Sequence, residues 1–415
     1  TEGVGILNFH RLIQSRRGRS ALAALALAFF HCAPAVAGGI STNPGYQQFM
    51  EDGGDWLLPL QQPDGSFPWT SDTPGSIFIN VQAPIGFGLI SAWQATGRTD
   101  FRDAAIEVAD YLIANQAQFP DTNPIFRSYD AYFLVRLSTL TGVPTYAAHV
   151  QTFLWDRLQA GTYGPSGDWD IVDYVASEIA RRGGSAATGE VVAAWDLALI
   201  SVAANEAGIS AFDNALMAGV RQALEDAPDD NYVLGESGYD VLGLAGGVWA
   251  AGVTGQSAVP AAGPWSGVGD NLGLANALVE YQSGGGSFLQ SSSALASPID
   301  PEDTVTQTTA FALLALQQLD TLQFLAELQD ALDGLIFFQR PGGQIIYYHP
   351  DVDLSTVSML GDVLTHAYAL QAFAEIQGTP NPALPVPVPV LGWPALLLLM
   401  ALLALVGWRG LRTAA

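Results

Sequence analysis

Residues 56–67, WLLPLQQPDGSF, carry the spacing that predicts the fold, because the same spacing recurs twice later in the chain. A leucine is followed by a glutamine and then by a glycine, with the same gaps each time. The frame returns in residues 277–288, ALVEYQSGGGSF, and in residues 334–345, GLIFFQRPGGQI. In each copy the glutamine is placed to bridge the last carbonyls of a helix to the following turn, and the glycine lets the chain reverse. An internal repeat of this kind predicts stacked helical units.

Apolar residues recur at helical rather than strand spacing between residues 40 and 377. Clusters of Gly, Pro, Asp and Ser interrupt them roughly every fifteen to twenty-five residues, which marks the helix ends. The best candidate for a short strand is QIIYY at residues 344–348. Helices are predicted near 44–61, 78–96, 100–116, 125–140, 143–159, 168–182, 189–207, 210–225, 237–252, 268–282, 302–319, 321–338 and 361–377.

The repeat resembles the QW motif of the squalene cyclase and prenyltransferase superfamily, with Phe67 and Phe288 in place of the usual closing tryptophan. The stretches QTTAFA at 307–312 and THAYA at 365–369 are similar to the starts of that superfamily's inner helices. The resemblance implies an all-α fold, an (α/α)6 toroid over residues 40–377, in which six helical hairpins close into a double ring. Its inner helices are expected to be nearly all apolar and its outer helices amphipathic.

The first 37 residues have the pattern of a secretory signal peptide. Arginines precede a short apolar run at residues 21–30, and Ala35-Val36-Ala37 supplies the small residues typical of a cleavage site. The run is too short to anchor the protein in a bilayer. We therefore expect an exported protein, periplasmic or at the cell surface, whose single cysteine, Cys32, leaves with the leader.

The C-terminal region predicts a link to the membrane. Residues 378–390 form a Pro-rich linker, and residues 391–415 contain an apolar stretch followed by Arg409 and Arg412. Linker, apolar stretch and arginines resemble the tripartite C-terminal sorting tags of the PEP-CTERM type. Two interpretations stay open: a permanent transmembrane helix, or a tag that a sorting peptidase removes. In both, the arginines stay cytoplasmic and the body lies outside.

The composition excludes several classes of function. Forty acidic residues against fifteen arginines, with no lysine, give a formal net charge of −25, so no nucleic-acid partner is expected. A prenyltransferase zinc site needs Asp, Cys and His ligands, and the mature chain has no cysteine to supply. His149, His349 and His366 are too widely separated for a spacing-based metal motif. We predict neither a metal nor a cofactor.

Carboxylates at the predicted starts of inner helices are the first candidates for chemistry. Asp residues near a helix N-terminus cap free amides and complement the helix dipole. A ring of acids could instead line the mouth of a toroid and act as general acid and base, or bind a hard cation. Both interpretations apply to the same five residues, Asp130, Asp196, Asp240, Asp303 and Asp362.

The segment Asp300-Pro301-Glu302-Asp303-Thr304 resembles the DxDD-T element of class II terpene cyclases. The resemblance implies that Glu302 would be the proton donor, held protonated by burial and by the neighbouring Asp300 and Asp303. The alternative is an ordinary helix start, since Asp as N-cap followed by Pro is typical of one.

One histidine is also a candidate. His366 lies four positions after Asp362 on a predicted inner helix. Asp362 could orient the imidazole as a base, or the two side chains could simply pair on the helix face.

A carbohydrate site is the third possibility. The loop GTYGPSGDWD at residues 161–170 combines acids with aromatic rings, and paired carboxylates are what glycoside cleavage requires. Packing or turn roles are the alternative for these aromatic residues. The candidate ligand-binding residues are Tyr163, Asp168, Trp169 and Asp170 in this loop and Trp69 in an earlier one.

The sequence thus predicts an exported, surface-associated toroid that holds an apolar or polymeric ligand in its central cavity. Whether it is a catalyst stays open. The two enzymatic alternatives are terpene-cyclase-like acid catalysis by Glu302 and a glycan-active hydrolase or lyase.

Overall fold

The computed structural model describes residues 44–115, 128–183, 192–225, 240–290, 304–347 and 362–377. All of them belong to one compact unit, Ile40–Ala415. The predicted signal peptide, the Pro-rich linker and the C-terminal apolar stretch lie outside the described residues. Within the described ranges no helix is long and apolar enough to cross a membrane.

The described residues are mostly helical, as predicted. Short 3-10 turns follow the first helix and precede the second, and a π-helical turn, Gln151–Trp155, joins the helices Pro144–Val150 and Asp156–Ala160. The α-helices are α1 (Pro44–Leu57), α2 (Gln82–Thr96), α3 (Thr99–Asn115), α4 (Ser128–Thr141), α5 (Pro144–Val150), α6 (Asp156–Ala160), α7 (Ile171–Gly183), α8 (Ala193–Glu206), α9 (Asp213–Glu225), α10 (Asp240–Thr254), α11 (Asn271–Val279), α12 (Thr306–Asp320), α13 (Leu325–Phe337) and α14 (Asp362–Gln377).

Six helices form a closed inner ring. In order around the ring they are α2, α4, α8, α10, α12 and α14, and each packs against the next. The ring closes where α14 packs against α2, the first and last inner helices of the chain. The other helices lie outside this ring, where α1 contacts α2 and α14, and α9 contacts α8 and α10. The described part of the chain therefore has the double-ring arrangement of an (α/α) toroid.

The amino-acid pattern of each layer explains its place. Inner helices are covered on every side, so residues 82–93, 193–204 and 240–251 are buried without exception. Outer helices bury one stripe only, at the three- and four-residue spacing of a helix face. In α3 this buried stripe consists of Phe101, Ala104, Ala105, Val108, Ala109 and Leu112.

The repeated glutamines join neighbouring outer helices through side-chain hydrogen bonds. Each side-chain amide donates one hydrogen bond to the glycine carbonyl of its own turn and a second to a carbonyl in the next outer helix. Gln61 reaches Ala104 of α3 at 3.0 Å. Gln282 reaches Glu327 of α13 at 2.8 Å, and Gln339 reaches Phe49 of α1 at 2.9 Å. The contact from Gln339 to α1 joins the last copy of the repeat to the helix that precedes the first copy.

Each turn requires glycine for two reasons: its positive φ angle and the close approach of a neighbouring outer helix. Gly65, Gly286 and Gly343 have φ angles of 87°, 88° and 92°, which disfavour any side chain. A Cβ atom at each would collide with a backbone carbonyl of the same outer helix that the glutamine reaches: Glu107 of α3, Asp330 of α13 and Asp52 of α1. The three turns are therefore structurally equivalent, as their spacing predicted.

The predicted strand at residues 344–348 is reduced to a single bridge. Ile345 pairs with Gln339 across the glycine turn, and no longer ladder forms in the described part of the chain. The Gln-to-Gly spacing folds this stretch into a tight turn that ends on the inner helix α14, so it has no neighbouring strand with which to pair.

Candidate functional site

Aromatic side chains from all six inner helices meet inside the ring. Phe87 of α2 packs on Tyr132 of α4, and Tyr132 meets Trp249 of α10 at a centroid distance of 5.9 Å. Trp195 of α8 stacks on Phe311 of α12 at 3.7 Å, although α10 lies between these two helices in the ring. Contacts between helices that are not neighbours mean that side chains fill the ring axis at this level.

Three rings of this aromatic cluster keep a small exposed area. Tyr129, Trp195 and Tyr368 are 7%, 4% and 7% exposed, whereas Tyr132 and Trp249 are at or below 1%. Tyr129 and Trp195 belong to the first turns of their helices. We call Tyr129, Trp195, Phe311 and Tyr368 the aromatic floor.

The inner helices begin at the same end of the ring, called here the N-terminal face. Ser128, the first residue of α4, donates from Oγ to Asp196 Oδ1 in the first turn of α8 at 3.2 Å. The amide of Thr306, which begins α12, donates to the carbonyl of Tyr347 before α14 at 2.9 Å. Ser71, in the loop before α2, donates to Asp362 at the start of α14. The aromatic floor therefore lies beneath this face.

Three buried carboxylates belong to three consecutive inner helices at the N-terminal face. Asp130 of α4 is 5% exposed, Asp196 of α8 is 6% exposed, and Asp240 of α10 is 1% exposed. The approach of α8 and α10 is close, since a Cβ on Gly246 of α10 would collide with the backbone of Trp195. Burying an ionised carboxylate is costly, and such groups concentrate at functional sites. These three residues form the acidic cluster.

Asp362 is the fourth buried acid at this face, and both of its carboxylate oxygens accept hydrogen bonds. Its Oδ1 accepts from the amides of Ser71 and Val363, both at 3.0 Å. Its Oδ2 accepts from the Ser71 hydroxyl at 2.5 Å and from Gln344 Nε2 at 3.0 Å. This carboxylate fixes the loop before α2 and the turn before α14 to the inner ring. Only the bond from the Val363 amide comes from its own helix, and the other three come from outside α14.

His366 is fully buried, and both of its ring nitrogens bind backbone groups. Nδ1 accepts from the amide of Ile345 at 2.9 Å, so Nε2 carries the hydrogen and donates to the carbonyl of Gly53 at 2.9 Å. The ring also packs on Trp56 at 4.6 Å. Burial lowers the pKa of His366 to about 3, against a smaller opposing effect of the Gly53 carbonyl. The imidazole is therefore neutral at physiological pH, and its partners are backbone atoms rather than Asp362.

Equivalent bonds in two other inner helices show what His366 does. The amide of Phe67 donates to Gln82 Oε1 of α2 at 2.7 Å, and the amide of Phe288 donates to Thr309 Oγ1 of α12 at 2.8 Å. Each amide follows the turn glycine by two residues, as Ile345 does. The same structural role, attachment of a glycine turn to an inner helix, is thus performed by Gln82, Thr309 and His366.

The loop at residues 161–170 lies between α6 and α7, two helices of the outer layer. Tyr163 and Trp169 pair through two backbone hydrogen bonds of 3.0 Å, and the Trp169 indole covers Gly164. Tyr163 is fully buried. Asp168 accepts from the Ser166 hydroxyl, and Asp170 caps the start of α7 by accepting from the Val172 amide at 2.7 Å. The two exposed acids therefore bind their own loop.

Trp69 lies in a different place from that loop. It precedes α2, is half-buried, and meets Phe78 edge-to-face at a centroid distance of 5.7 Å. The third predicted cluster, Asp300, Glu302 and Asp303, lies outside the described residues. Within the described ranges no group of three or more His, Cys, Asp or Glu side chains is arranged to hold a metal ion.

Sequence reasoning missed the aromatic floor. Its members are far apart in the chain, and each occupies an ordinary apolar position on an inner helix. A polar residue also borders it: Tyr129 donates its hydroxyl to Gln371 Oε1 at 2.9 Å. A buried Gln in the middle of an apolar helix was the available signal, because buried polar side chains need a partner.

Comparisons with known proteins show the fold and no more specific relationship. No protein-family model matches the chain, and no curated protein sequence matches it either.

Solved structures do match it. An unsaturated glucuronyl hydrolase from Bacillus sp. GL1, responsible for the degradation of glycosaminoglycan, aligns with a TM-score of 0.51 and 13% identity over 81% of this chain and 98% of its own. An inactive variant of an α-1,6-mannanase from Salegentibacter sp. HEL1_6, in complex with α-1,6-mannotetrose, gives 0.51 and 12% over 80% and 99%. A type II terpene cyclase from Scytonema gives 0.46 and 14% over 80% and 97%. The two alignments with TM-scores of 0.51, together with the double ring of helices, show that the chain shares the (α/α) toroid fold.

Proposed function

We propose that this toroid is a glycan-active hydrolase or lyase, with its site at the N-terminal face of the ring. Asp130, Asp196 and Asp240 supply the acid and base, and the aromatic floor beneath them carries a sugar ring. The observation that carries the proposal is the presence of three buried carboxylates in the first turns of three consecutive inner helices, at the face that the aromatic floor borders.

The acids suit this chemistry because glycoside cleavage needs two carboxyl groups in different protonation states. One protonates the leaving oxygen, and the other activates water or attacks the sugar. Burial disfavours the ionised form of a carboxyl group, which is how enzymes keep one acid protonated near neutral pH. The helix α4 packs against α8, and α8 packs against α10, so the three acids lie in the first turns of adjacent helices. We assign the two roles to a pair of acids on adjacent helices.

The aromatic floor suits a sugar better than a threading polymer or a long apolar chain. A pyranose presents a C–H face that packs on aromatic rings and hydroxyl groups that bind carboxylates. A deep central cavity would be needed for a buried isoprenoid, but Trp195, Phe311 and Tyr368 of the floor contact one another across the ring axis and fill it at this level. The fold shared with a glucuronyl hydrolase and a mannanase is consistent with this choice and does not identify the sugar.

The test is a turnover assay with a matched set of Asp→Asn variants. The panel contains α-1,6-mannan, unsaturated glucuronyl disaccharides and neutral β-linked glucans. The readouts are release of reducing ends, loss of the unsaturated substrate and gain of an unsaturated product. Asp196→Asn should lower turnover by about a hundredfold or more, while far-UV circular dichroism stays unchanged. Asp270→Asn is the control, because Asp270 is an exposed cap that accepts from the Gly273 amide of α11 at 2.8 Å.

Two results would contradict the proposal. One is a wild-type protein that neither cleaves nor binds any member of the panel. The other is an Asp196→Asn variant, with matching Asp130→Asn and Asp240→Asn variants, that turns substrate over at the wild-type rate.

We also propose that this activity takes place outside the cytoplasm, on a protein held at the membrane by its C-terminal segment or released from it. The support is the sequence pattern of residues 1–37 and 378–415. Fractionation of cells that produce the full chain tests the location. Mass spectrometry of the released protein shows whether a peptidase removes the C-terminal segment.

A further inference from the structure

An aromatic pair stands exposed beside the N-terminal face. Phe78 is 51% exposed, and its ring meets the half-buried Trp69 edge-to-face. The two rings stand at the ends of residues 68–78, a segment named here the platform loop. Large exposed aromatic side chains mark interaction sites when they are clustered and held in place.

The platform loop is attached to the inner ring at both ends. Gln82, the first residue of α2, donates from Nε2 to the carbonyls of Phe67 and Phe78, both at 2.8 Å. In the middle of the loop, Ser71 is bound through its amide and its hydroxyl to Asp362. These bonds place the loop over the starts of α2 and α14, whose neighbours in the ring are α4 and α12.

The loop is also braced internally. The amide of Trp69 donates to the carbonyl of Ser76 at 2.8 Å, and Pro68 pairs with Ile77 as an antiparallel bridge. Thr70 and Thr73 bond to each other through their hydroxyls. An aromatic surface that is already rigid loses little conformational entropy when a ligand binds, so more of the contact energy appears as affinity.

The chemistry around the two rings favours a carbohydrate. Hydroxyl side chains dominate the loop between them, at Thr70, Ser71, Thr73 and Ser76, and its only charged residue is Asp72. Aromatic faces suit the C–H surface of a sugar ring, and hydroxyl groups suit its rim. Anionic partners are disfavoured by a net charge of −25.

We propose that Trp69 and Phe78 form an outer subsite that stacks on a sugar residue of a glycan chain whose other end reaches the acidic cluster. The inference rests on the proposed glycan activity and assigns it to oligomeric or polymeric substrates of low negative charge. Binding at the platform holds one part of the chain while the buried carboxylates act on a linkage several residues away.

The experiment compares Phe78→Ala with Phe337→Ala, because Phe337 is an equally exposed phenylalanine, 56%, at the end of the outer helix α13. Wild type and variants are applied to an array of mannose, glucose and N-acetylglucosamine oligosaccharides that contain two or six residues. Phe78→Ala should weaken binding of the six-residue ligand about tenfold and leave the two-residue ligand unchanged. Phe337→Ala should change neither, and Phe78→Tyr should restore the six-residue affinity.

Three other outcomes overturn the inference, and they are distinguishable. Equal binding of six-residue ligands by Phe78→Ala and wild type removes the platform but leaves the proposed activity intact. Equal loss with Phe337→Ala assigns the effect to general surface packing. A wild-type protein that binds no oligosaccharide on the array removes both this inference and the proposed function, and an exposed aromatic pair that captures another protein is then the remaining role.

Discussion

The two halves of the inner ring begin their helices in different ways. In the turn-bound half, α12, α14 and α2 use Thr309, His366 and Gln82 to hold the amide that follows a glycine turn. In the acidic half, α4, α8 and α10 bury a carboxylate in the first turn. The first half shows how glycine turns are attached to the inner ring, and the second contains the buried carboxylates to which we assign the chemistry.

The contrast separates two uses of a buried polar side chain. In the turn-bound half, each side chain satisfies a backbone group that would otherwise be buried without a partner, so its loss lowers stability. In the acidic half, burial of a carboxylate works against stability, which is the usual condition of a functional group. Substitutions should therefore affect stability in one half and activity in the other.

The largest stability effect is expected at a turn glycine. Gly286→Ala places a Cβ atom against the Asp330 carbonyl at a φ of 88°, so the turn or α13 must move. We expect a loss of about 3 kcal/mol in the free energy of unfolding, measured by urea denaturation. Gly284→Ala is the control, since a Cβ atom there meets nothing within 4 Å. Equal effects of the two substitutions would contradict the conclusion that the glycine turn packs tightly against the neighbouring outer helix.

His366 should make stability depend on pH. The folded protein holds its pKa near 3, whereas an unfolded histidine titrates near its model value of 6.5. Between these values the unfolded state binds more protons, so this residue's contribution to stability is complete above about pH 6.5 and is lost as the pH falls. We expect a loss of about 2 kcal/mol between pH 7 and pH 5.

The matched variant for this prediction is His366→Gln, which places in α14 the residue type that α2 uses. Between pH 7 and pH 5 the urea midpoint of this variant should fall less than that of wild type. At pH 7 the variant is less stable than wild type. An acid dependence identical to that of wild type would show that His366 is not the buried neutral ligand of Ile345 and Gly53.

A smaller loss is expected in α12. Thr309→Val removes the acceptor of the Phe288 amide at nearly constant side-chain volume, and leaves that amide buried. We expect a loss of about 1 to 2 kcal/mol in the free energy of unfolding with no change in turnover. Thr321→Val is the control, because Thr321 is partly buried, directly follows α12, and donates its hydroxyl to the carbonyl of Gln317 in the last turn of that helix. A turnover defect in Thr309→Val with wild-type stability would place it in the functional half.

The repeat made much of the fold predictable from sequence. The fixed spacing of leucine, glutamine and glycine anticipated three equivalent turns, and helical periodicity placed the helix ends to within about four residues. The residues that receive each turn were not predictable. A glutamine, a threonine and a histidine perform one structural task, so no shared residue type marks it in the sequence.

The candidate site was predictable only in part. Asp130, Asp196 and Asp240 were identified as acids at helix starts, but so was Asp362, whose carboxylate binds Ser71 and Gln344. The aromatic floor depends on ring closure, which brings together residues as distant in the chain as Tyr129 and Tyr368. Sequence periodicity reports which face of a helix is buried and carries no information on which helices meet across a ring.

The most direct test of the division between the two halves is a paired measurement on Asp196→Asn and Asp362→Asn. Turnover of the best glycan substrate and the free energy of unfolding are measured for both variants under the same conditions. The account predicts that Asp196→Asn loses turnover by about a hundredfold or more with stability unchanged or raised, and that Asp362→Asn loses about 1 to 2 kcal/mol of stability while its remaining folded fraction keeps most of its turnover. The reverse pattern, or the same change in both variants, would contradict it.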